Sequence, residues 1–219
     1  MKRFLALMVL AVGSANAMGT GISFYLGYNW ALPTNLLVKQ EGYPDTLVEA
    51  AHFDTHPFDS PIYYGTRIWY GPEEGTRAEV ELIHSKLYFD GAESGGEVFD
   101  RFTATDGFNF LLFNLAYFEE AGDGEFGVRA GVGPMIPHPE SSVRGQVWGQ
   151  DGNPAFFHLG GIGAQVGASY NFLVDTPDHW PLGIEAKWTY ADSHLNISGG
   201  QVEGIFNSFH LTFGPGYRP

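Results

Sequence analysis

The chain has 219 residues, no cysteine and a formal charge of −14, from 11 basic and 25 acidic side chains. The lack of thiols excludes disulfides and thiolate metal sites, and the acidic balance speaks against nucleic acid as a partner. Glycine reaches 30 residues and aromatics 16%, which suits tightly packed strands with aromatic girdles better than a helical domain.

Met1-Lys2-Arg3, an apolar run from Phe4 to Val12 and Ser14-Ala15-Asn16-Ala17 follow in order. A basic start, a short hydrophobic stretch and an A-x-A site read as a secretory signal peptide, residues 1–17. The run is about half the ~20 residues of a spanning helix, which weighs against a membrane anchor. Cleavage near Ala17 leaves a domain of residues 18–219. It removes Lys2 and Arg3, so 9 basic residues face 25 acidic ones, a charge of −16. No later segment is apolar for long enough to be a transmembrane helix. The exported chain is therefore soluble or a β-barrel, because backbone groups in lipid must pair internally.

Residues 21–30 open the mature chain with Ile22, Phe24, Leu26, Tyr28 and Trp30 alternating with Ser23, Tyr25, Gly27 and Asn29. A period of two is a strand. Residues 31–61 carry proline and glycine breakers, and two short apolar runs flank Gly42-Tyr43-Pro44-Asp45 as a hairpin projecting from the membrane. The second strand, 62–70, turns Arg67 away from Ile62, Tyr64, Thr66, Ile68 and Tyr70. At mid-depth against lipid, Arg67 would cost roughly 2–4 kcal/mol. The third, 78–89, places Glu79 and Glu81 inward, but its phase then sends His84 and Lys86 outward. A bulge near Leu82-Ile83 would restore them to the interior.

Residues 107–118 are apolar on both faces apart from Asn109 and Asn114, which suggests a filled lumen. Residues 125–136 set Phe126, Val128, Ala130 and Val132 outward against Gly127, Arg129, Gly131 and Gly133, the glycines leaving room for large lumenal neighbours. Residues 155–173 and 181–192 alternate likewise. The latter puts Leu182, Ile184, Ala186, Trp188 and Tyr190 on one face and Glu185 and Lys187 on the other. Its length suits a tilted strand crossing a bilayer, about 9–11 residues. The last strand, 204–214, faces Phe209, Leu211 and Phe213 out and His210 in.

The count is eight, and the connections alternate long and short, with 193–203 as a further longer loop. The fold class expected is all-β: a closed antiparallel eight-stranded transmembrane β-barrel with long extracellular loops and short periplasmic turns. A soluble sandwich or lipocalin-like barrel would place its polar face outward. A ten-stranded wall that includes the 36–53 hairpin is a second alternative. On signal peptide, alternation, loop asymmetry and the aromatic-rich last strand, the mature chain resembles the small eight-stranded outer-membrane proteins of the OmpX, OmpW and OmpA-domain kind. That resemblance implies the outer membrane of a Gram-negative bacterium. It also implies the outer-membrane assembly machinery as a partner, and those families usually end on an aromatic residue. This chain ends Gly214-Pro215-Gly216-Tyr217-Arg218-Pro219, so Phe213 or Tyr217 would serve.

Arg67, Glu81, Arg129, Glu185, Lys187 and His210 are expected to form a lumenal polar network, since a narrow barrel is filled by side chains and buried charges need partners. His84, Lys86 and Glu81 would make an acid–base group only with the bulge. His138 and Glu140, beside Ser141, have the spacing of a two-residue metal ligand set without a third member. A loop packed over the barrel mouth accounts for them more simply. His52, His56, His158 and His179 are scattered. The candidate catalytic set is His194, Ser198 and Glu203, following the logic of a serine activated by an oriented histidine. That stretch is loosely similar to the lipid A deacylases, eight-stranded barrels with a His/Ser/Glu triad. Their serine stands two residues after the histidine, where this chain has Asn196. The preferred function is non-enzymatic: membrane structure, surface interaction, or binding of a small apolar or lipid ligand, with an acyl-ester hydrolase as the alternative. No cofactor and no metal is implied. The partners expected are outer-membrane lipid and lipopolysaccharide, and the chain is expected to be a monomer.

Overall fold

The protein is seen in a computed structural model, which describes residues 18–91, 95–149, 153–173 and 181–218. The expected signal peptide, its cleavage near Ala17, His179 and the turn at 175–180 lie outside the described residues. Fourteen strands follow in chain order among those described. The first seven are β1 (Met18–Ala31), β2 (Thr34–Gln40), β3 (Thr46–Asp54), β4 (Tyr64–Pro72), β5 (Gly75–His84), β6 (Leu87–Asp90) and β7 (Phe99–Ala104). The rest are β8 (Phe108–Ala121), β9 (Gly124–Pro137), β10 (Glu140–Val143), β11 (Gln146–Trp148), β12 (Gly161–Leu173), β13 (Pro181–Ile197) and β14 (Gly200–Tyr217).

Eight of them form a closed ring, β1-β4-β5-β8-β9-β12-β13-β14, and β14 pairs back onto β1 from Ile22↔Tyr217 to Ala31↔Ser208. Every neighbouring pair is antiparallel, and closure leaves the wall without an edge. The polarity is inside out. Phe24 is 56% exposed on the outer face and Leu115 65%, with Ile68, Phe113, Val166 and Phe213 beside them. Aromatic side chains ring both ends of this belt. Tyr28, Trp30, Trp188 and Tyr190 lie at one end, and Tyr70, Tyr117, Phe172 and Tyr217 at the other. Arg67, Glu79, Glu81, Arg129, Glu185 and Lys187 of the same strands are buried inside. This is the pattern that lipid requires and water does not, and it removes the soluble alternatives.

Close approach of strands inside so narrow a ring depends on missing side chains. A Cβ at Gly65 would overlap the Tyr25 ring, one at Gly127 the Phe118 ring, and one at Gly131 the Asn114 amide.

Above the ring the chain builds a second storey. Residues 200–204 of β14 run past the end of β1 and pair with β2, and the sheet continues β2-β3-β6-β7-β10-β11. The upper part of β13 stays paired with β14 through Ile197↔Gly200. Leu36, Val38, Val48, Phe53, Phe102, Leu195, Val202 and Phe206 are buried in one apolar core there. Phe206 packs edge-on against Phe53 at 5.6 Å and tilted against Phe108 at 5.0 Å between ring centroids.

Three expectations change, at 193–203, at the Leu82 bulge and at the start of the sixth wall strand, and the ten-stranded alternative falls away. Residues 193–203 are not a loop: alternation persists, with Ser193, Leu195 and Ile197 buried, and only Ser198 and Gly199 turn the chain. Gly199 has φ +71°, the positive value that tight hairpin turns demand. The 36–53 hairpin stays out of the wall, because the lower part of β14 is taken by β1, so the wall has eight strands. The bulge proposed near Leu82 is absent. β5 pairs in unbroken register with β4 and β8, and Ile83 points inward while His84 takes the outer phase at the rim. The strand ends there, so Lys86 never has to face lipid. The sixth wall strand also starts later than its sequence suggests, at Gly161, since Pro154–Phe156 forms a short 3-10 turn capped by Asn153.

Candidate functional site: a filled lumen under a folded cap

Alternation carries one polar residue at a time into the lumen, and the ring brings them to a common level. Arg67 lies 2.7 Å from Glu81, 2.9 Å from Glu185 and 3.4 Å from Glu79. Arg129 reaches Glu79 at 3.0 Å and Glu185 at 2.7 Å. Lys187 reaches Glu81 at 2.6 Å and Glu185 at 3.3 Å. Three cations therefore face three carboxylates, and all six side chains are buried. Equal and opposite charge is what permits ions in a dry interior.

Glu81 is the centre of this arrangement. Its carboxylate also accepts from the Tyr25 hydroxyl at 2.5 Å, the Asn114 amide at 2.7 Å and the Gln165 amide. Its five donors stand on β1, β4, β8, β12 and β13, so six of the eight wall strands meet at one group. Toward the cap, His210 is sandwiched between the Tyr63 hydroxyl at 2.9 Å from Nδ1 and the Thr189 hydroxyl at 2.8 Å from Nε2. Toward the short turns, Arg77 and Arg218 pair with Glu125, and Arg77 lies over the Phe118 ring at 4.0 Å. From the ion network a cleft of about 60 Å³ runs toward the short-turn end, touching Ser23, Arg67, Arg129, Glu185, Arg77 and Arg218. That is room for a few waters.

All six residues expected in the lumen lie there. Arg67, Glu81, Arg129, Glu185 and Lys187 share one network, and His210 lies above it with its own partners. The expected set omitted Glu79, although it precedes Glu81 by two residues and so shares its face. It also omitted Tyr25 and Gln165, whose polar atoms become network members only through pairing across the ring.

The catalytic candidates are not brought together. His194 is directly opposite Glu203 across β13–β14, but Glu203 is held by Lys39 at 2.7 Å and by Gln201 at 2.6 Å. Ser198 occupies the hairpin tip, four residues along the strand from His194, about 13 Å at the rise of an extended chain. Its carbonyl accepts from the Gln40 amide at 3.0 Å. Among the described residues, no serine hydroxyl is hydrogen-bonded to His194. The Lys39 hydrogen bond holds the Glu203 carboxyl below the ordinary carboxylate range.

The proposed acid–base group is likewise dispersed. His84 stacks on Tyr64 at 4.8 Å and bonds Asn109, Glu81 belongs to the lumen, and Lys86 donates to the Asp59 carbonyl at 2.8 Å. Burial pushes the Lys86 ammonium down, partly offset by Asp59. His52, His56 and His158 stand apart, His56 bonded to Asp59 and His158 to the His194 carbonyl. His138 and Glu140 do lie together beneath the cap, and Asp106 joins them.

A closed ring, an apolar exterior and a buried, charge-paired network inside define an eight-stranded transmembrane β-barrel. No family model matches the chain, and no curated protein matches it either. Among solved structures it is similar to Neisserial surface protein A, with 12% identity and a TM-score of 0.45, covering 92% of this chain and 99% of that one. It is also similar to the attachment invasion locus protein of Yersinia pestis, at 13% identity and TM-score 0.42, with coverage of 92% and 99%. The outer-membrane protein AlkL shows 12% identity and TM-score 0.43, with coverage of 100% and 96%.

Proposed function

We propose that this chain is a monomeric barrel of the Gram-negative outer membrane whose work is surface interaction through its folded cap. The single observation that carries this reading is the lumen: a balanced, fully buried ion network of Arg67, Arg129 and Lys187 with Glu79, Glu81 and Glu185 crosses it. Export by the leader and insertion by the outer-membrane assembly machinery belong to the same proposal. The two-residue turns β4–β5 and β8–β9 would face the periplasm, and the cap would face outside. Glu41, Asp45, Glu49, Asp54, Asp59 and Asp100 are exposed on the cap, which favours basic partners or divalent cations bridging to lipopolysaccharide.

The test is to insert the mature chain into planar bilayers and into whole outer membranes. A heat-modifiable band, no steady conductance, and capture of lipopolysaccharide that chelators reverse are the expected results. A stable channel overturns the filled-lumen reading. Loss of an acyl chain from lipid A in cells expressing the protein, abolished by Ser198→Ala, overturns the non-enzymatic one.

A further inference from the structure

Three side chains with no part in the lumen meet where the cap joins the wall. Asp106 lies on the connection at 105–107 between β7 and β8, His138 directly follows β9, and Glu140 opens β10. The backbone N–H of His138 donates to the Gly107 carbonyl at 2.9 Å, which ties the two connections together and sets Asp106 beside the imidazole. His138 is fully buried and Glu140 is 2% exposed, while the Asp106 side chain keeps 27% of its surface. Nδ1 of His138 stands 3.6 Å from Asp106 Oδ2 and 3.9 Å from Glu140 Oε1.

The imidazole's other nitrogen identifies what Nδ1 offers. Nε2 lies 2.7 Å from the Asn153 carbonyl oxygen. A carbonyl can only accept, so Nε2 carries hydrogen, and in the neutral ring Nδ1 is then a lone pair. That atom is buried and has no hydrogen-bond partner. A lone pair aimed at two carboxylate oxygens is repulsive unless something positive lies between them. An imidazolium proton would draw one carboxylate to about 2.7–2.9 Å, and neither is that near. The observed spacings instead approach the edges of a coordination polyhedron. Nitrogen and oxygen ligands about 2.0–2.2 Å from a tetrahedral ion stand roughly 3.3–3.6 Å apart. The outer hydrogen bond to a backbone carbonyl is the usual means of orienting a metal-bound histidine. Arg101 holds Glu140 by Oε2, so Oε1 is the oxygen turned toward His138.

We infer that Asp106, His138 and Glu140 bind one divalent transition-metal ion of the zinc class. An imidazole with two carboxylates suits such an ion, whereas calcium and magnesium prefer all-oxygen sets of six or more ligands. The site also has a structural consequence. The cap sheet continues the strand ladder of the wall at one end, through β14–β2, and β10 lies near the opposite end of that sheet. An ion held by residues of the β7–β8 connection, the end of β9 and the start of β10 staples this second end to the rim. The inference goes beyond the surface role and does not depend on it.

The experiment uses the untagged mature chain, refolded in detergent, stripped with chelator and checked by its heat-modifiable band. Zn²⁺ is titrated by calorimetry and Co²⁺ by its visible absorption. One equivalent of each is expected, with Zn²⁺ displacing Co²⁺ and equal Ca²⁺ or Mg²⁺ failing to compete. His138→Gln abolishes binding and Asp106→Asn weakens it at least tenfold, while His56→Gln and His158→Gln leave it unchanged. Should His138→Gln fail to fold, the half-exposed Asp106→Asn variant carries the test. The inference is overturned if wild type shows no saturable Zn²⁺ binding. It is equally overturned if Asp106→Asn binds as tightly as wild type, or if His56→Gln or His158→Gln removes the binding.

Discussion

Replacing Glu81 with glutamine is the sharpest probe of the lumen. The change keeps the shape and one acceptor oxygen but removes the charge that Arg67 and Lys187 approach at 2.7 and 2.6 Å. Hydrogen bonds to charged groups contribute about 1.5–3 kcal/mol each, and stripping one partner from a buried pair costs about 3–5 kcal/mol. Arg67 keeps Glu185 at 2.9 Å and Lys187 keeps it at 3.3 Å, which places Glu81→Gln near the lower end, about 3 kcal/mol. The central network would then hold three cations against two carboxylates. Adding Lys187→Met restores balance at two and two, so the double variant should be more stable than the sum of its parts by at least about 1 kcal/mol, as expected of coupled neighbours. Reversible urea unfolding in lipid vesicles, followed by tryptophan fluorescence and by the band shift, measures each corner of the cycle. A Glu81→Gln loss under about 1 kcal/mol, or strict additivity, would refute the idea that charge balance holds this barrel.

Three further outcomes follow from named contacts. Gly65→Ala forces a methyl into the Tyr25 ring and should destabilise by about 1–3 kcal/mol as overpacking does, while Tyr25→Leu in the same chain recovers part of it; unfolding midpoints decide. Phe206→Ala empties the centre of the cap core and should cost about 3–5 kcal/mol. It should expose the β2–β3 hairpin to proteolysis while the wall keeps its heat-modifiable band, and simultaneous loss of both would show that cap and wall are one cooperative unit. For Glu203, the folded carboxyl is held below its ordinary value by Lys39. Its contribution is therefore present above the ordinary carboxylate range and fades as pH falls through the folded value. The effect is small because the pair is part exposed. A carbon-13 titration of the Glu203 carboxyl should shift upward in Lys39→Met, and an unmoved titration would remove Lys39 as the cause.

Much of the wall was legible in the sequence because side-chain direction along a strand is a local property. Two-residue alternation by itself assigned Arg67, Glu81, Arg129, Glu185, Lys187 and His210 to one face and the aromatic belt to the other. The prolines and glycines that interrupt it divided the chain into eight crossings. Alternation failed where it was set aside as loop: Leu195, Ile197 and Val202 keep the period, but a short run of it looks the same in a loop as in a strand. Only the tertiary structure decided that this run pairs onward to β2 and roofs the barrel. It also decided that Glu81 collects donors from five other strands, and that Asp106 comes to stand beside His138. Those outcomes depend on register between strands distant in sequence, which the local pattern limits to one face but which closure of the ring must also satisfy through its shear.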